Sequence, residues 1–105
     1  MVKTFEERVY GRLKTVPRGN VTTYKELAHS LGCRAYRRIG SLMAKNPYAP
    51  GVPCHRVVMS DGRLGGYSAS GGIKKKISLL ENEGIKIDDN RIRNFEKVFY
   101  RMKKM

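Results

Sequence analysis

Cys54 and His55 stand side by side in the run Pro53-Cys54-His55-Arg56, and a thiol beside an imidazole can carry nucleophilic chemistry. The thiolate attacks whereas the thiol hardly does, so such chemistry needs a base or a cation nearby. Arg56 supplies positive potential and His55 a base. On an extended backbone adjacent side chains point apart, so His55 would act through a water or a turn rather than by direct contact. Free cysteine is also among the most buried residue types. The dipeptide by itself therefore leaves a nucleophile and a structural thiol both open. His29 and Cys33 raise a third reading, a metal site. They lie four apart, but Gly32 ends the helix that would align them, and Cys54 and His55 lack the usual spacer between ligand pairs. No metal site is expected, and Cys33 reads as a structural thiol.

The elements that must position these residues belong to a chain of 105 residues, the size of one domain. Twenty-two Lys and Arg against nine Asp and Glu give a formal net charge of +13. A field of that sign attracts phosphate polyanions, so nucleic acid is the first partner to weigh against a merely solvated basic surface. The N-terminal "MVKTFEERVYGRLKTVP" is broken by charge every few residues, unlike a secretory leader, and no uncharged run reaches the length of a membrane span. The expectation is a cytoplasmic, DNA-associated protein whose two cysteines are thiols.

Thr4-Phe5-Glu6-Glu7 reads as a capping box, followed by Phe5, Val9, Leu13 and Val16 at helical spacing until Pro17. A second box at Thr23-Tyr24-Lys25-Glu26 opens a helix burying Leu27, Ala28 and Leu31 and ending at Gly32. A third helix places Tyr36, Ile39 and Met43 on one face, with Arg34, Arg37, Arg38 and Lys45 elsewhere. Two short helices joined by a tight turn, the second basic, outline a helix-turn-helix. Prolines between Asn46 and Pro53 exclude helix there. "HRVVM" reads as a short strand, Ser60 to Arg63 as a turn, and the glycines around Tyr67 and Ser68 as a loop. A last strong helix is predicted from about Ile73 to Glu83, burying Ile73, Ile77 and Leu80. "IKIDDNRI" reads as a small hairpin, and Phe95, Val98, Phe99 and Met102 have helical spacing. The fold class is mainly α with a few short β elements, in one domain over 1–105 with 85–105 packed on it as an extension.

The runs "GNVTTYKELAHSLG", "AYRRIGSLMAKNP", "VPCHRVVMSDGRLGGYS" and "LLENEG", in that order, closely resemble the DNA-binding and active-site domain of the O6-alkylguanine-DNA alkyltransferases. The resemblance spans about Phe5 to Gly84 and implies a winged-helix-like helix-turn-helix. It implies that Cys54 accepts the alkyl group irreversibly, that His55 takes the thiol proton through a water, and that Glu83 orients His55. Asn46 would brace the active-site turn, and the Tyr24 hydroxyl would reach guanine N3. Arg37 would fill the stack left by the extruded nucleotide. Thr23, Arg34, Tyr36 and Arg38 would join it at the DNA. Met43, Tyr67 and the backbone of Val57 and Ser68 would form the base pocket. The implied partner is double-stranded DNA containing O6-alkylguanine, met in the minor groove by a monomer, with no cofactor because the alkylated base is the activated donor.

Three departures accompany the resemblance. The family carries a further domain ahead of this one, so exposed apolar surface on the first helix is expected. Tyr36 and Arg38 stand where small residues are common, and Ala69-Ser70 reads as an insertion. They keep a second reading open: a non-enzymatic alkyltransferase-like protein that binds the lesion and recruits excision-repair proteins. Such proteins replace the reactive cysteine, which this chain retains.

Overall fold

The computed structural model describes residues 3–49, 51–65 and 71–102. The expected class is observed: helices α1 (Phe5–Leu13), α2 (Tyr24–Ser30), α3 (Tyr36–Lys45), α4 (Gly72–Asn82) and α5 (Phe95–Val98), with two-residue strands β1 (Thr22–Thr23), β2 (Val57–Val58), β3 (Ile87–Asp88) and β4 (Arg91–Ile92). The α1 capping box forms in full: Thr4 accepts from the Glu7 amide, and Glu7 accepts from the Thr4 amide. Helix α1 ends at Leu13, before Val16, because Pro17 disfavours helical geometry in the residue it follows. Val16 is nonetheless buried, held by a tighter bond from its amide to Leu13.

The second capping box is only half made. Thr23 accepts from the Glu26 amide at 2.9 Å, but the Glu26 carboxylate bonds the amide of Met102 at 2.7 Å. Gly32, at φ +70°, supplies the left-handed residue that closes α2 and lets the chain turn into α3. Helices α2 and α3 form the helix-turn-helix. Ile39, Leu42 and Met43 are the buried face of α3, and Tyr36 falls outside it, exposed, contrary to the expected stripe.

β1 and β2 pair in parallel, Thr22 with Val57 and Thr23 with Val58. This short ladder ties the entrance of α2 to the residues just after Cys54. β3 and β4 form the expected antiparallel hairpin, turning at Asp89 and Asn90, both at positive φ. Phe99 does not continue α5. It bridges Val21 in parallel, with the Val21 amide bonded to Val98 and the Tyr100 amide to Val21. One core gathers Val9, Leu13, Leu27, Ile39, Val52 and Cys54, and a second gathers Val21, Val58, Leu64, Leu80, Ile85 and Ile92. Burying such aliphatic side chains is what stabilises so small a fold, at about 1.5–3 kcal/mol each.

Two expectations about exposure are corrected. Helix α1 shows no large exposed apolar side chain among the described residues, since Val9 and Leu13 are turned fully inward. On α4, Ile73 is 39% exposed while Lys76 is fully buried. Lys76 shares with Leu80 the inward stripe set by four-residue spacing, and its ammonium finds two carbonyl partners there. Among the described residues no helix is long and apolar enough to cross a membrane.

Candidate functional site

The chain reaches Cys54 through a braced loop. Asn46, at the end of α3, donates from Nδ2 to the Val52 carbonyl at 2.8 Å and accepts at Oδ1 from the Tyr48 amide at 3.0 Å. Both bonds tie the end of α3 to the loop that leads to Cys54. Beyond Pro53 the backbone winds into a short 3-10 turn over Cys54–Arg56, with the Arg56 amide bonded to Pro53. The expected strand "HRVVM" is therefore limited to Val57–Val58. The turn replaces the alternation of a strand with roughly 120° steps between successive side chains. Cys54 is buried at 5% exposure, inside the first core.

His55, 2% exposed, is held from behind by Glu83 at the end of α4: Nε2 lies 2.8 Å from Oε2. With a proton on Nε2 donated to that carboxylate, Nδ1 is left as an acceptor. It is buried and has no hydrogen-bond partner among the described residues. Burial is the largest influence on the imidazole and pulls its pKa below the ordinary value. Glu83 works against this, while Arg56 and Lys76 reinforce it. The ring is thus kept neutral near pH 7, the state a base needs.

Burial alone would raise the Glu83 carboxyl, but hydrogen bonds from Arg56 and His55 outweigh it and hold the pKa below the usual carboxylate range. Arg56 grips both oxygens, Nε to Oε1 at 2.9 Å and Nη2 to Oε2 at 2.8 Å. Tyr24 is partly buried, and burial followed by the nearby Cys54 sulfur raises its phenol, which therefore stays a hydrogen-bond donor. It borders a recess of about 400 Å³ together with Lys25, Tyr36, Met59 and Ser60.

Sequence reasoning missed Lys76. Its ammonium donates to the carbonyls of Val57, at 2.9 Å, and Leu64. Burial pushes its pKa down to about 8, opposed by the nearby Cys54 sulfur. The one signal was its four-residue phase with Leu80, hidden in a run of three lysines. The same contact engages the Val57 carbonyl, which was assigned to the base pocket. Met43 lies in the first core, and Tyr67 and Ser68, like Ala69-Ser70, lie outside the described residues.

At the helix-turn-helix, Arg34, Tyr36, Arg37 and Arg38 are all exposed. Their settings differ. The Arg38 guanidinium stacks 4.4 Å over the Phe5 ring, drawing it toward α1. The Tyr36 hydroxyl lies 3.0 Å from His29 Nε2. Thr23 is 4% exposed, and its hydroxyl serves as the cap of α2. Arg37 has neither an aromatic nor a carboxylate contact of this kind among the described residues.

The chain is similar to known proteins over most of its length. The family profile described as 6-O-methylguanine DNA methyltransferase, DNA binding domain, matches residues 4–85. A bifunctional methyltransferase/endonuclease of Picrophilus torridus is 46% identical over 85 residues, 80% of this chain and 28% of that protein. The crystal structure of O6-methylguanine-DNA methyltransferase from Pyrococcus kodakaraensis superposes with a TM-score of 0.71 at 49% identity, covering 80% of this chain and 48% of that one. Atl1 of S. pombe, solved with damaged DNA containing O6-carboxymethylguanine, superposes at 0.81 with 27% identity, covering 95% of this chain and 99% of that one. The chain spans about half the length of most of the curated methyltransferases it matches, from 46% to 57% of them. On the extent of the profile match and the ordered set of motifs it contains, the chain belongs to the 6-O-methylguanine DNA methyltransferase family, through that family's DNA-binding domain.

Proposed function

We propose that this chain repairs O6-alkylguanine in double-stranded DNA by taking the alkyl group onto Cys54, once per molecule. The observation that carries the reading is the alignment behind the cysteine: Glu83 fixes the His55 ring through Nε2, leaving a neutral Nδ1 unclaimed among the described residues, beside the thiol's own turn. In the reaction the Cys54 proton passes, through a water, to His55 Nδ1. The sulfur attacks the alkyl carbon, the bond from that carbon to O6 breaks, and its electron pair returns to the base. A proton from the Tyr24 hydroxyl to N3 lets guanine leave neutral. The product is a thioether, and none of the groups named can hydrolyse it.

The lesion lies inside the duplex, so the nucleotide must be turned out before sulfur can meet carbon. Arg37 is the side chain proposed to enter the gap from the minor groove, with Arg34 and Tyr36 alongside. Phosphate contacts with a basic surface supply affinity. Residues 1–105 are taken to act as one unit and as a monomer.

The test is incubation with a duplex carrying one O6-methylguanine, followed by mass spectrometry of the Cys54 peptide. One methyl group in place of hydrogen, absent in Cys54→Ser, is the expected result. A second reading is favoured by the near full-length superposition on Atl1: a lesion-binding protein that recruits excision-repair proteins. Tight binding to the lesion duplex with Cys54 unmodified would establish that reading in place of transfer.

A further inference from the structure

This inference rests on the proposed role of His55 and concerns what sets the strength of that base. A carboxylate 2.8 Å from an imidazole draws a proton onto it, and an imidazole that is already a cation cannot accept another. The same Glu83 is held by Arg56 through both oxygens, and Oε2 is shared between Arg56 Nη2 and His55 Nε2. A third bond, from Arg56 Nη1 to the Val16 carbonyl at 2.9 Å, anchors the guanidinium to the segment leaving α1. Arginine keeps its charge at every relevant pH, and the planar fork matches a carboxylate.

We propose that Arg56 is a positioning residue that sets the proton affinity of His55 through the carboxylate they share, keeping the ring neutral and its Nδ1 open. Among the described residues, Arg56 from its own turn and Lys76 from α4 act on the imidazole as cations, opposing the one anion, Glu83. Cys54 adjoins His55 in the chain. Removing the arginine would leave the full charge of Glu83 directed at His55. The ring would then turn cationic at higher pH and lose its use as a base.

The experiment is a pH titration of the two histidine rings by NMR, with His29 as the internal control, in the native protein, Arg56→Gln and Arg56→Lys, without DNA. In Arg56→Gln the His55 midpoint should rise by about one pH unit or more while His29 stays in place. Arg56→Lys, which keeps a cation but not the fork, should fall between. The transfer rate at pH 6 relative to pH 8 should drop in Arg56→Gln, by less than the roughly tenfold change in proton affinity because part of the native rings are already neutral at pH 6. A His55 midpoint within about 0.3 unit of native in a folded Arg56→Gln overturns the proposal, since that is a change of about twofold in proton affinity where about tenfold is expected. Should that variant fail to fold, an unmoved midpoint in Arg56→Lys overturns it instead. Absence of methyl transfer would remove the functional reading without touching the titration, and transfer with an unmoved His55 would remove only this proposal.

Discussion

The ammonium of Lys76 sits fully buried against the Val57 carbonyl at 2.9 Å, so a cation from α4 underpins the strand that follows Cys54. Burial lowers its pKa to about 8 from an ordinary 10.5. A group depressed in the folded state gives stability that is present above the unfolded pKa and is lost as pH falls through the folded one. Between pH 8 and 10.5 the native protein should therefore gain stability with rising pH relative to Lys76→Met. Urea midpoints at pH 8 and pH 10 check this, and parallel slopes in the two proteins would refute it.

His55 and Glu83 place a second pH dependence on the acid side. The His55 pKa is lowered, chiefly by burial, so the unfolded chain binds its proton first and stability falls as pH drops below about 6.5. Glu83 is also lowered, held by Arg56 and His55 against burial, so its contribution is lost as pH falls below about 4.5. In His55→Gln the first decline should vanish and the second remain. Thermal melts from pH 7 to pH 4 measure both.

Asn46→Ala should destabilise the protein by about 1–3 kcal/mol, because it removes two hydrogen bonds: the Tyr48 amide loses its side-chain acceptor, and the Val52 carbonyl keeps only the Cys54 amide. Methyl transfer should slow as well, since the loop entering the Cys54 turn loses its brace. Denaturant unfolding and single-turnover rates report the two effects separately. A variant as stable and as fast as native would show the bracing to be dispensable.

Arg37→Ala should weaken action on duplex DNA far more than reaction with free O6-alkylguanine, because the free base needs no extrusion. Comparison of the two rates decides it. Equal losses on both would remove the wedge role.

Local signals in the sequence served well where both partners lie within a few residues. The Thr4–Glu7 box, the Gly32 stop and the 87–92 hairpin all formed as read. Errors came where a distant group competed. Glu26 left its own capping box for the Met102 amide, 76 residues away. Lys76 took the inward place expected for Ile73 because carbonyls of Val57 and Leu64 could satisfy an ammonium there. Phe99 kept helical spacing yet pairs with Val21. At the site, the motifs single out Cys54, His55, Glu83 and Asn46, and the structure joins His55 to Glu83 and Asn46 to the loop. The double grip of Arg56 was invisible, since nothing in the spacing of residues 56 and 83 announces a contact.

The bonds from Val98 and Tyr100 to Val21, and from Met102 to Glu26, join the two ends of the chain's timeline. During synthesis the helix-turn-helix emerges early, but its leading edge lacks these partners until residues 98–102 have followed it. The nascent motif thus lacks these bonds until residues 98–102 have been made.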